Sequence, residues 1–531
     1  MILPWKKPIV LLIAVNILIG FFIFRDYGLT WDEPYFYSYA DALGYAYSPA
    51  NWFSGDFDLN NSYGASGEDH KTRGPAYLFL ARSFVYGWEA LGSDTASAWH
   101  LVNFLFFQLS VYFLYRISTR WVRPSAAFVT ALFFSTQPLL WGHAFINPKD
   151  PPFLTFFLAS VCLGFEMVDA IVENARNKNM KLLIAAFVLG IATSIRVLGP
   201  LAGLLVVIYY LARLPFGKWK SLIVYGVTAI FIMLLTWPYL WENPIANFLG
   251  VFMFMSDNPT NLSVLFNGQA FRAGELPLSY LPFMLVTTLT EPVWILFLLG
   301  LLTAYWKLLA KPKDSASKTT PGTKEISSLN LILSWFVILL AYALLRRPAM
   351  YDGFRHFLFI LPPVFIFIGF AFEVLFDRIN IFARSEEKID SWLRAGAVMA
   401  LLAPGILGVI QLHPYEYTYY NSFIGGTDGA FRKYETDYWL TCYKEAVAQL
   451  NGLTSEPINV FVKREAYVAA PYADENITVR ELRDMEETVR SGDYVLINTR
   501  LNDDRSTFKD APVLLTVKRG NATFCIVRQI P

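Results

Sequence analysis

The sequence carries little charge for its length. Only 16% of its 531 residues are Asp, Glu, Lys or Arg, whereas a soluble globular protein carries about 25%. Positive charge is not in excess either, because the net charge is +1. The chain therefore lacks the broad basic field of a nucleic-acid-binding protein. It has three cysteines, and no Cys or His spacing typical of a metal site, so we predict no metal centre.

Apolar residues are abundant instead, and the charges are unevenly distributed. Hydrophobic residues make up 55% of the chain and aromatic residues 17%. Of the charged residues, 31 lie in the last 119 positions and 56 are spread over the first 412. We therefore predict a mainly α fold, with a polytopic membrane helix bundle over residues 1–412. A small C-terminal extracytoplasmic α/β domain follows over residues 413–531.

Apolar runs predict how often the chain crosses the bilayer, whose core is about 30 Å thick and needs roughly 20 mostly apolar residues per helix. We predict about eleven spans. They lie near residues 8–24, 98–115, 124–141, 152–171, 181–195, 197–213, 220–237, 291–309, 329–345, 355–375 and 393–412. The two runs on either side of Arg196 are short enough to form one long helix, so the count is open by about two.

Lysine and arginine predict the orientation, because short cytoplasmic connections carry more of them than outer ones do. They cluster after alternate spans. The clusters are Lys6 and Lys7; Arg116, Arg120 and Arg123; Arg176, Lys178 and Lys181; Arg213, Lys218 and Lys220; Lys307, Lys311, Lys313, Lys318 and Lys324; and Arg378, Arg384, Lys388 and Arg394. We predict a multi-pass plasma (inner) membrane protein with a cytoplasmic N-terminus and an extracytoplasmic C-terminal domain. The first apolar run has no small-residue cleavage site and is predicted to be a retained anchor.

The cysteines leave one question open. Cys162 lies inside a predicted span, where a small apolar packing role is expected. Cys442 and Cys525 both fall in the predicted outer domain, where a disulfide is chemically permitted. Sequence alone does not show that they are close, so pairing and non-pairing both stay open.

The polar residues of the membrane domain lie mainly in outer connections, predicted at 25–97, 142–151, 238–290 and 346–355. Three features stand out, namely the acidic pair Asp32-Glu33, the pair Lys149-Asp150, and the cationic segment with Arg346, Arg347, Arg355 and His356. Each has a structural explanation, as a solvated helix end, a turn ion pair braced by prolines, or arginines reaching lipid headgroups. Because all three lie at one depth on one side, they predict a site for an anionic lipid headgroup and a nucleophile.

Such a site suits the transfer of a sugar from a polyprenyl phosphate. The apolar tail stays in the bilayer, and the phosphate lies at the interface beside Arg or Lys. Phosphate is a good leaving group, so the reaction needs a cation to stabilise its developing charge. It also needs a carboxylate to remove the proton from the acceptor hydroxyl. A glycoside hydrolase needs two carboxylates flanking the bond instead. Asp32 is the candidate base.

At these residues the sequence resembles the GT-C membrane glycosyltransferases, and most closely the protein O-mannosyltransferase and aminoarabinose-transferase-like group (glycosyltransferase family 39 type). The resemblance covers about residues 1–445. It is carried by the acidic pair, the loop Asn147-Pro148-Lys149-Asp150, the segment Gly353-Phe354-Arg355-His356, and the stretches His413-Pro414-Tyr415-Glu416, Tyr419-Tyr420-Asn421, Gly425-Gly426 and Asp437-Tyr438-Trp439. It implies a polyprenyl-phosphate sugar donor, an inverting transfer, and an acidic base in the first outer loop.

The predicted site follows from both lines of reasoning. The catalytic candidates are Asp32, Glu33 and Asp150. The donor phosphate candidates are Lys149, Arg355, Arg347 and His356, and the acceptor or sugar contacts are Trp31, His143, Asn147 and Tyr351. We expect no cofactor and favour a metal-independent reaction, although acidic loop residues could bind a divalent ion. The expected partners are a polyprenyl-phosphate-linked sugar, an acceptor protein, lipid or glycan, and the lipid bilayer, with no nucleic acid.

Local patterns predict further elements. Residues 75–91 have the spacing of an amphipathic interfacial helix, and the polar segment 311–328 suits a flexible linker. In the tail, strands are predicted at 458–462, 494–497, 513–517 and 523–527, the last two joined by a turn at Arg519-Gly520-Asn521. A helix is predicted near 479–491 from its charge spacing. The tail is either a lid or acceptor platform, or a stabilising cap.

Two other function classes compete with a transferase. A transporter or flippase of lipid-linked sugars would place ionisable groups near the bilayer midplane, in broken helices and repeated halves. The predicted spans are nearly free of charge, and no internal repeat is evident. A non-catalytic assembly scaffold is the second alternative.

Overall fold

The computed structural model describes residues 8–65, 67–214, 219–257, 260–309, 322–383, 387–453, 455–483 and 485–531. Lys6, Lys7, Lys218, Arg384 and most of the predicted linker at 311–328 lie outside these residues. The end of that linker lies inside them and differs from the prediction, because the chain is helical from Gly322 onward.

Helices dominate the chain up to Leu412. Their bounds are Pro8–Ile23, Glu33–Ala42, Pro49–Trp52, Gly67–His70, Ala76–Ala90, Thr95–Ser118, Pro124–Ser135, Pro138–Ile146, Asp150–Val172, Lys178–Ile195, Pro200–Arg213, Trp219–Leu235, Pro244–Asp257, Tyr280–Thr287, Pro292–Leu309, Gly322–Arg346, Leu361–Phe382 and Glu387–Leu412. Short 3-10 segments include Leu43–Tyr45, Leu59–Ser62, Pro238–Leu240 and Arg355–Ile360. The amphipathic helix predicted at 75–91 corresponds to Ala76–Ala90.

Helices occupy all eleven predicted span positions, but the count of eleven is not confirmed. Among the described residues, six helices are long and apolar enough to cross a membrane. They are Thr95–Ser118, Asp150–Val172, Lys178–Ile195, Ser328–Arg346, Arg355–Phe382 and Glu387–Leu412. A seventh would be the pair Tyr280–Thr287 and Pro292–Lys307, which is bent by 98°. Several apolar helices are shorter than 18 residues. The chain is a multi-pass membrane protein.

Proline divides one predicted span, and the structure answers the open question about the two runs beside Arg196. The span predicted at 124–141 is two helices that break at Gln137, where Pro138 begins a new helix. That second helix continues to Ile146, so the loop predicted at 142–151 is helical over its first half. The runs beside Arg196 are two helices, because Arg196 is extended at the end of the first.

The tail folds around a five-stranded mixed sheet. Its strands are β3 (Ile458–Val462), β4 (Ile477–Glu481), β5 (Tyr494–Asn498), β6 (Val513–Arg519) and β7 (Ala522–Gln529), after an isolated hairpin of β1 (Ser263–Phe266) and β2 (Gln269–Arg272) in the membrane domain. The sheet order is β4-β3-β5-β7-β6. β3 is parallel to β4 and β5, and the other pairs are antiparallel. The helix Cys442–Asn451 packs against the sheet.

The tail predictions were partly right. The four predicted strands and the hairpin turn at Gly520 are found. The helix predicted at 479–491 is wrong, because Ile477–Glu481 pairs with β3 as the edge strand β4. An edge strand with one exposed face has charges at spacings that also suit a helix. The open question on cysteines is answered, since Cys442 and Cys525 form a disulfide.

The outer domain lies close to the loops of the membrane domain, and two glycines permit this approach. A Cβ atom on Gly28 would lie 2.2 Å from the carbonyl oxygen of Thr441, and one on Gly142 would lie 2.4 Å from the amide nitrogen of Tyr417. Both distances are too short for any larger residue, so the two glycines let the segment after residue 412 sit directly on the loop after the first helix and on the helix Pro138–Ile146.

Candidate functional site

Three outer segments bring their charged side chains together. Asp32 precedes the helix Glu33–Ala42, Asp150 begins the helix Asp150–Val172, and Arg355 begins the 3-10 helix Arg355–Ile360. The Arg355 guanidinium lies 3.2 Å from Asp150, 3.3 Å from Asp352 and 3.6 Å from Asp32. A single buried cation thus joins three carboxylates from separate loops.

The turn before Arg355 explains how this side chain reaches the others. Asp352 and Gly353 both have left-handed backbone angles, with φ of 56° and 69°. Aspartate and glycine tolerate this conformation better than most residues. The turn reverses the chain directly before the 3-10 helix and directs Arg355 back over Asp352. Burial raises the pKa of the Asp352 carboxyl, while Arg500 and Arg355 oppose that rise.

Asp150 is fully engaged by protein groups. It is 2% exposed and pairs with both Arg196 and Arg355. The side chain of Asn147 donates to it at 2.9 Å and accepts from its backbone amide at 2.9 Å. Asp150 is therefore a fixed counter-charge rather than an accessible base. Asn147, predicted as a sugar contact, is used in capping this helix.

The adjacent acids Asp32 and Glu33 point into different environments. Glu33 is fully buried and accepts hydrogen bonds from the Thr30 amide and the Tyr37 hydroxyl, both at 2.7 Å. It also lies 3.2 Å from His100. The Asp32 side chain is 26% exposed and touches only Arg355 among the charged groups of the described chain. Glu33 therefore braces the loop, and Asp32 is the acid that a substrate could reach.

Two cations next to this cluster have no carboxylate partner in the described part of the chain. The Lys149 ammonium makes no ion pair there, and its burial beside Arg73, Arg196 and Arg355 lowers the pKa of Lys149 well below its usual value, although Asp32 opposes the shift. Arg73 lies over the ring of Phe36 at 5.8 Å. Arg73 and Arg196 were not predicted as site residues.

Sequence signals for both existed. Arg196 is a charged residue at the outer end of an apolar run, and Arg73 precedes the amphipathic helix in the acidic first loop. Burial beside other cations lowers the pKa of Arg196 to about 9, although Asp150 is its direct ion-pair partner. The surplus of positive charge at this point suits an anionic ligand.

Of the other predicted site residues, some lie beside this cluster and one lies away from it. Tyr351 lies between Arg355, at 5.0 Å, and the ring of His356, at 4.9 Å. His143 is buried 3.0 Å from the Tyr438 hydroxyl, and burial lowers its pKa to about 3. Arg347 does not join the site. It is exposed and lines a separate groove with Ala273 and Met350, because the chain turns away there at a positive φ of 48°.

The outer domain contributes an arginine that sequence reasoning missed. Arg500 follows strand β5 and lies 3.0 Å from Asp352 and 3.5 Å from Glu435. Its guanidinium also lies 4.9 Å from the ring centre of Trp31. Burial raises the pKa of Glu435 to about 8. No motif surrounds Arg500, so only the docking of the two domains reveals it.

Potential metal ligands cluster elsewhere in the described residues. The group of three that comes close enough is Asp437, Cys442 and Cys525, and its two cysteines are joined as the disulfide. The carboxylates of Asp32, Asp150 and Asp352 each lie beside the Arg355 guanidinium, but they do not form such a group.

Part of the chain matches a known protein family. Residues 93–320 match the model of the family described as Glycosyltransferase family 87. This segment contains Lys149, Asp150 and Arg196 but neither Asp32 nor Arg355. No curated protein matches the sequence.

Three solved structures overlap the chain loosely. ArnT from Cupriavidus metallidurans bound to undecaprenyl phosphate has a TM-score of 0.49 at 13% identity, over 98% of this chain and 97% of that one. Its apo state has a TM-score of 0.47 at 15% identity over the same shares. The Archaeoglobus fulgidus oligosaccharyltransferase, in complex with Zn and sulfate, has a TM-score of 0.45 at 10% identity, over 89% and 64%.

The match covers less than half of the chain, and the family it names is a glycosyltransferase family, which agrees with the expected class of enzyme. The narrower resemblance to the family 39 type, with its O-mannosyltransferases, is not confirmed, because the matching model is that of a different glycosyltransferase family.

Proposed function

We propose that this protein is an integral-membrane glycosyltransferase that moves a sugar from a polyprenyl-phosphate donor to a hydroxyl or amine acceptor on the extracytoplasmic face. One observation carries the proposal. The accessible carboxylate of Asp32 lies in a cluster with a surplus of cations, and Lys149 and Arg73 are left without carboxylate partners among the described residues. A base beside unsatisfied cations is what transfer from a phosphate leaving group requires.

The chemistry follows from these charges. Asp32 accepts the proton of the acceptor as the acceptor oxygen or nitrogen forms a bond to the anomeric carbon. The bond between that carbon and the phosphate oxygen breaks, and the polyprenyl phosphate leaves with the electron pair. Lys149, Arg73 and the part of Arg355 not neutralised by carboxylates stabilise the negative charge on the leaving phosphate. One displacement on the face opposite the phosphate inverts the anomeric configuration.

Several of the other site residues also have roles in this scheme. Asp150 and Asp352 hold Arg355 in place, Glu33 fixes the loop that carries Asp32, and Tyr351 and His356 border the phosphate side. We propose a metal-independent reaction, because Lys149, Arg73 and Arg355 can supply the positive charge that the leaving phosphate needs. We propose further that the transferred sugar is a hexose or a pentose, as the resemblance to the family 39 type implies.

The compartment is part of the proposal too. The predicted orientation places the Asp32 loop and the outer domain outside the cytoplasm, with Arg116, Arg120 and Arg123 inside. A lipid-linked donor enters such a site sideways from the bilayer, while the acceptor arrives from the aqueous side.

The test uses the full-length protein in nanodiscs with labelled polyprenyl-phosphate sugars and measures release of polyprenyl phosphate. We expect Asp32→Asn to lower kcat by about 10²–10⁴-fold without changing the melting temperature. Asp56→Asn is the matched control, because Asp56 lies in the same loop and is exposed, and it should behave like the wild type. Unchanged release in Asp32→Asn would remove the assigned base.

The same preparation separates the transferase from a flippase. A flippase would move the labelled lipid between leaflets and leave the bond between sugar and phosphate intact. Transport of intact donor without any release of polyprenyl phosphate would overturn the proposal.

A further inference from the structure

The outer domain holds the loop that carries Asp32. The Tyr467 hydroxyl donates to the carbonyl oxygen of Trp31 at 2.8 Å, and the Tyr472 hydroxyl accepts from the amide of Leu29 at 2.8 Å. Lys444 donates to the carbonyl oxygens of Arg25 and Tyr27. Three side chains of the outer domain therefore bond the backbone of the segment directly before Asp32.

Arg500 extends this contact into the charge cluster. Its side chain is 3% exposed, it pairs with Asp352 at 3.0 Å, and it donates to the carbonyl oxygen of Tyr438 at 2.8 Å. The ring of Trp31 lies 4.9 Å from its guanidinium. The same side chain thus touches the neighbour of Asp32 and the carboxylate that holds Arg355.

Two arginines share Asp352, and this sharing has an electrostatic consequence. Arg355 also pairs with Asp150 and contacts Asp32. Without Arg500, the buried Asp352 carboxylate would keep only Arg355 as its ion-pair partner among the described residues, so Arg355 would be drawn toward Asp352 and away from Asp32. Removing one partner from a buried charge network leaves the other uncompensated.

We propose that Arg500 is a positioning residue for the transfer reaction, which sets the geometry of Asp32 through Trp31 and that of Arg355 through Asp352. The outer domain is then a working part of the active centre, neither a lid nor a passive cap. The kinetic test of this inference rests on the proposed function. A second test, by hydrogen exchange, is independent of that function.

The kinetic arm compares Arg500→Gln with Arg464→Gln in the full-length protein. Arg464 pairs at 2.7 Å with Asp503, which follows Arg500 in the same 3-10 segment. Arg464 has no contact with the described site residues, so it is the matched control. We expect Arg500→Gln to lower kcat at least about tenfold with little change in the donor KM, because Arg500 does not border the unpaired Lys149 and Arg73. Arg464→Gln should keep the wild-type values.

Two more variants distinguish positioning from stability. Arg500→Lys should restore part of the lost kcat, since it returns a cation beside Asp352. The double variant Arg500→Gln with Asp352→Asn should recover about threefold or more of the loss, because it removes the carboxylate that has lost Arg500 as its partner. An equal loss of kcat in Arg500→Gln and Arg464→Gln, following their melting temperatures, would overturn the inference.

The second arm is hydrogen exchange measured by mass spectrometry, with no substrate present. Peptides covering 25–33 and 349–356 should exchange faster in Arg500→Gln than in Arg464→Gln. If both peptides exchange at the wild-type rate in Arg500→Gln, the proposal that Arg500 positions these segments is rejected, whatever the catalytic result. A wild-type protein that releases no polyprenyl phosphate from any donor would instead reject the proposed function, and this arm would still decide the role of Arg500.

Discussion

The two ends of the helix bundle both collect arginines and carboxylates, but they use them differently. At one end, Arg116 forms a two-point contact with Glu166, both bonds at 2.5 Å. Arg120 and Arg213 share Asp169, and Lys307 pairs with Glu373 at 2.6 Å. Each of these cations has a carboxylate partner. At the other end, Arg355 serves three carboxylates while Lys149 and Arg73 have none in the described chain.

This difference separates a structural charge cluster from a site. Pairs that satisfy one another hold helices in register and leave nothing for a ligand. A partly buried cation without a partner costs free energy, and the fold bears that cost where an anion can bind. The unequal distribution of partners, rather than the number of charges, marks the outer end as the candidate site.

The largest effect that would test this comparison is expected from Arg355→Gln. It leaves Asp150 and Asp352 with less compensation in a buried environment, so we expect a loss of about 3–5 kcal/mol in stability together with loss of transfer. The measurement is the melting temperature in detergent and the release of polyprenyl phosphate.

Arg116→Gln at the opposite end is the matched control. Its partner Glu166 is 20% exposed, so we expect a cost of about 1 kcal/mol or less and normal transfer. Equal destabilisation by the two variants would show that the two ends do not differ in the way described.

Lys149→Met should separate binding from stability. We expect the affinity for polyprenyl phosphate to fall about tenfold, since a charge-assisted contact to phosphate is lost. The melting temperature should rise, because an unpaired, partly buried ammonium is removed. Isothermal titration and thermal unfolding of the same preparation measure both quantities, and a lower melting temperature would mean that Lys149 has a structural partner.

The increase in stability expected from Lys149→Met should depend on pH in a definite direction. The pKa of Lys149 is lowered in the folded protein, so the charged ammonium destabilises the fold. This destabilisation is complete when the pH is below the lowered pKa of the folded state. It disappears as the pH approaches about 10.4, the pKa of lysine in an unfolded chain. The stabilisation by Lys149→Met should therefore shrink as the pH rises. A gain that grows with pH would contradict the assignment.

The smallest effect is expected from Arg123→Gln. Arg123 is 52% exposed where it pairs with Asp377 and Glu373, so screening by water limits the cost to about 1 kcal/mol at most, and transfer should be unchanged. The melting temperature and the release assay check this. A marked loss of transfer would link the two ends of the bundle.

The sequence was sufficient for the class of fold and for the neighbourhood of the site, because apolar runs and loop charges are local properties. It named Asp32 as the candidate base, but it could not show that Glu33 is buried, since that burial depends on Thr30, Tyr37 and His100 packing around Glu33. Arg347 was misplaced for the same reason, because a left-handed turn decides its direction.

Arg500 was out of reach in a different way. It lies in a part of the tail that matches no motif, and its contacts with Trp31 and Asp352 exist only once the two domains dock. The helix predicted at 479–491 begins inside strand β4, and sequence could not show this because pairing with β3, which is a non-local contact, determines the strand's conformation.

The Cys442–Cys525 bond has a consequence for when the protein becomes competent. It joins the helix Cys442–Asn451 to strand β7, which pairs with β5, the strand that precedes Arg500. Such bonds persist in oxidising compartments. In the proposed orientation the tail lies in such a compartment, so its maturation is expected to finish only after export, and a newly made chain remains idle until oxidation there completes its assembly.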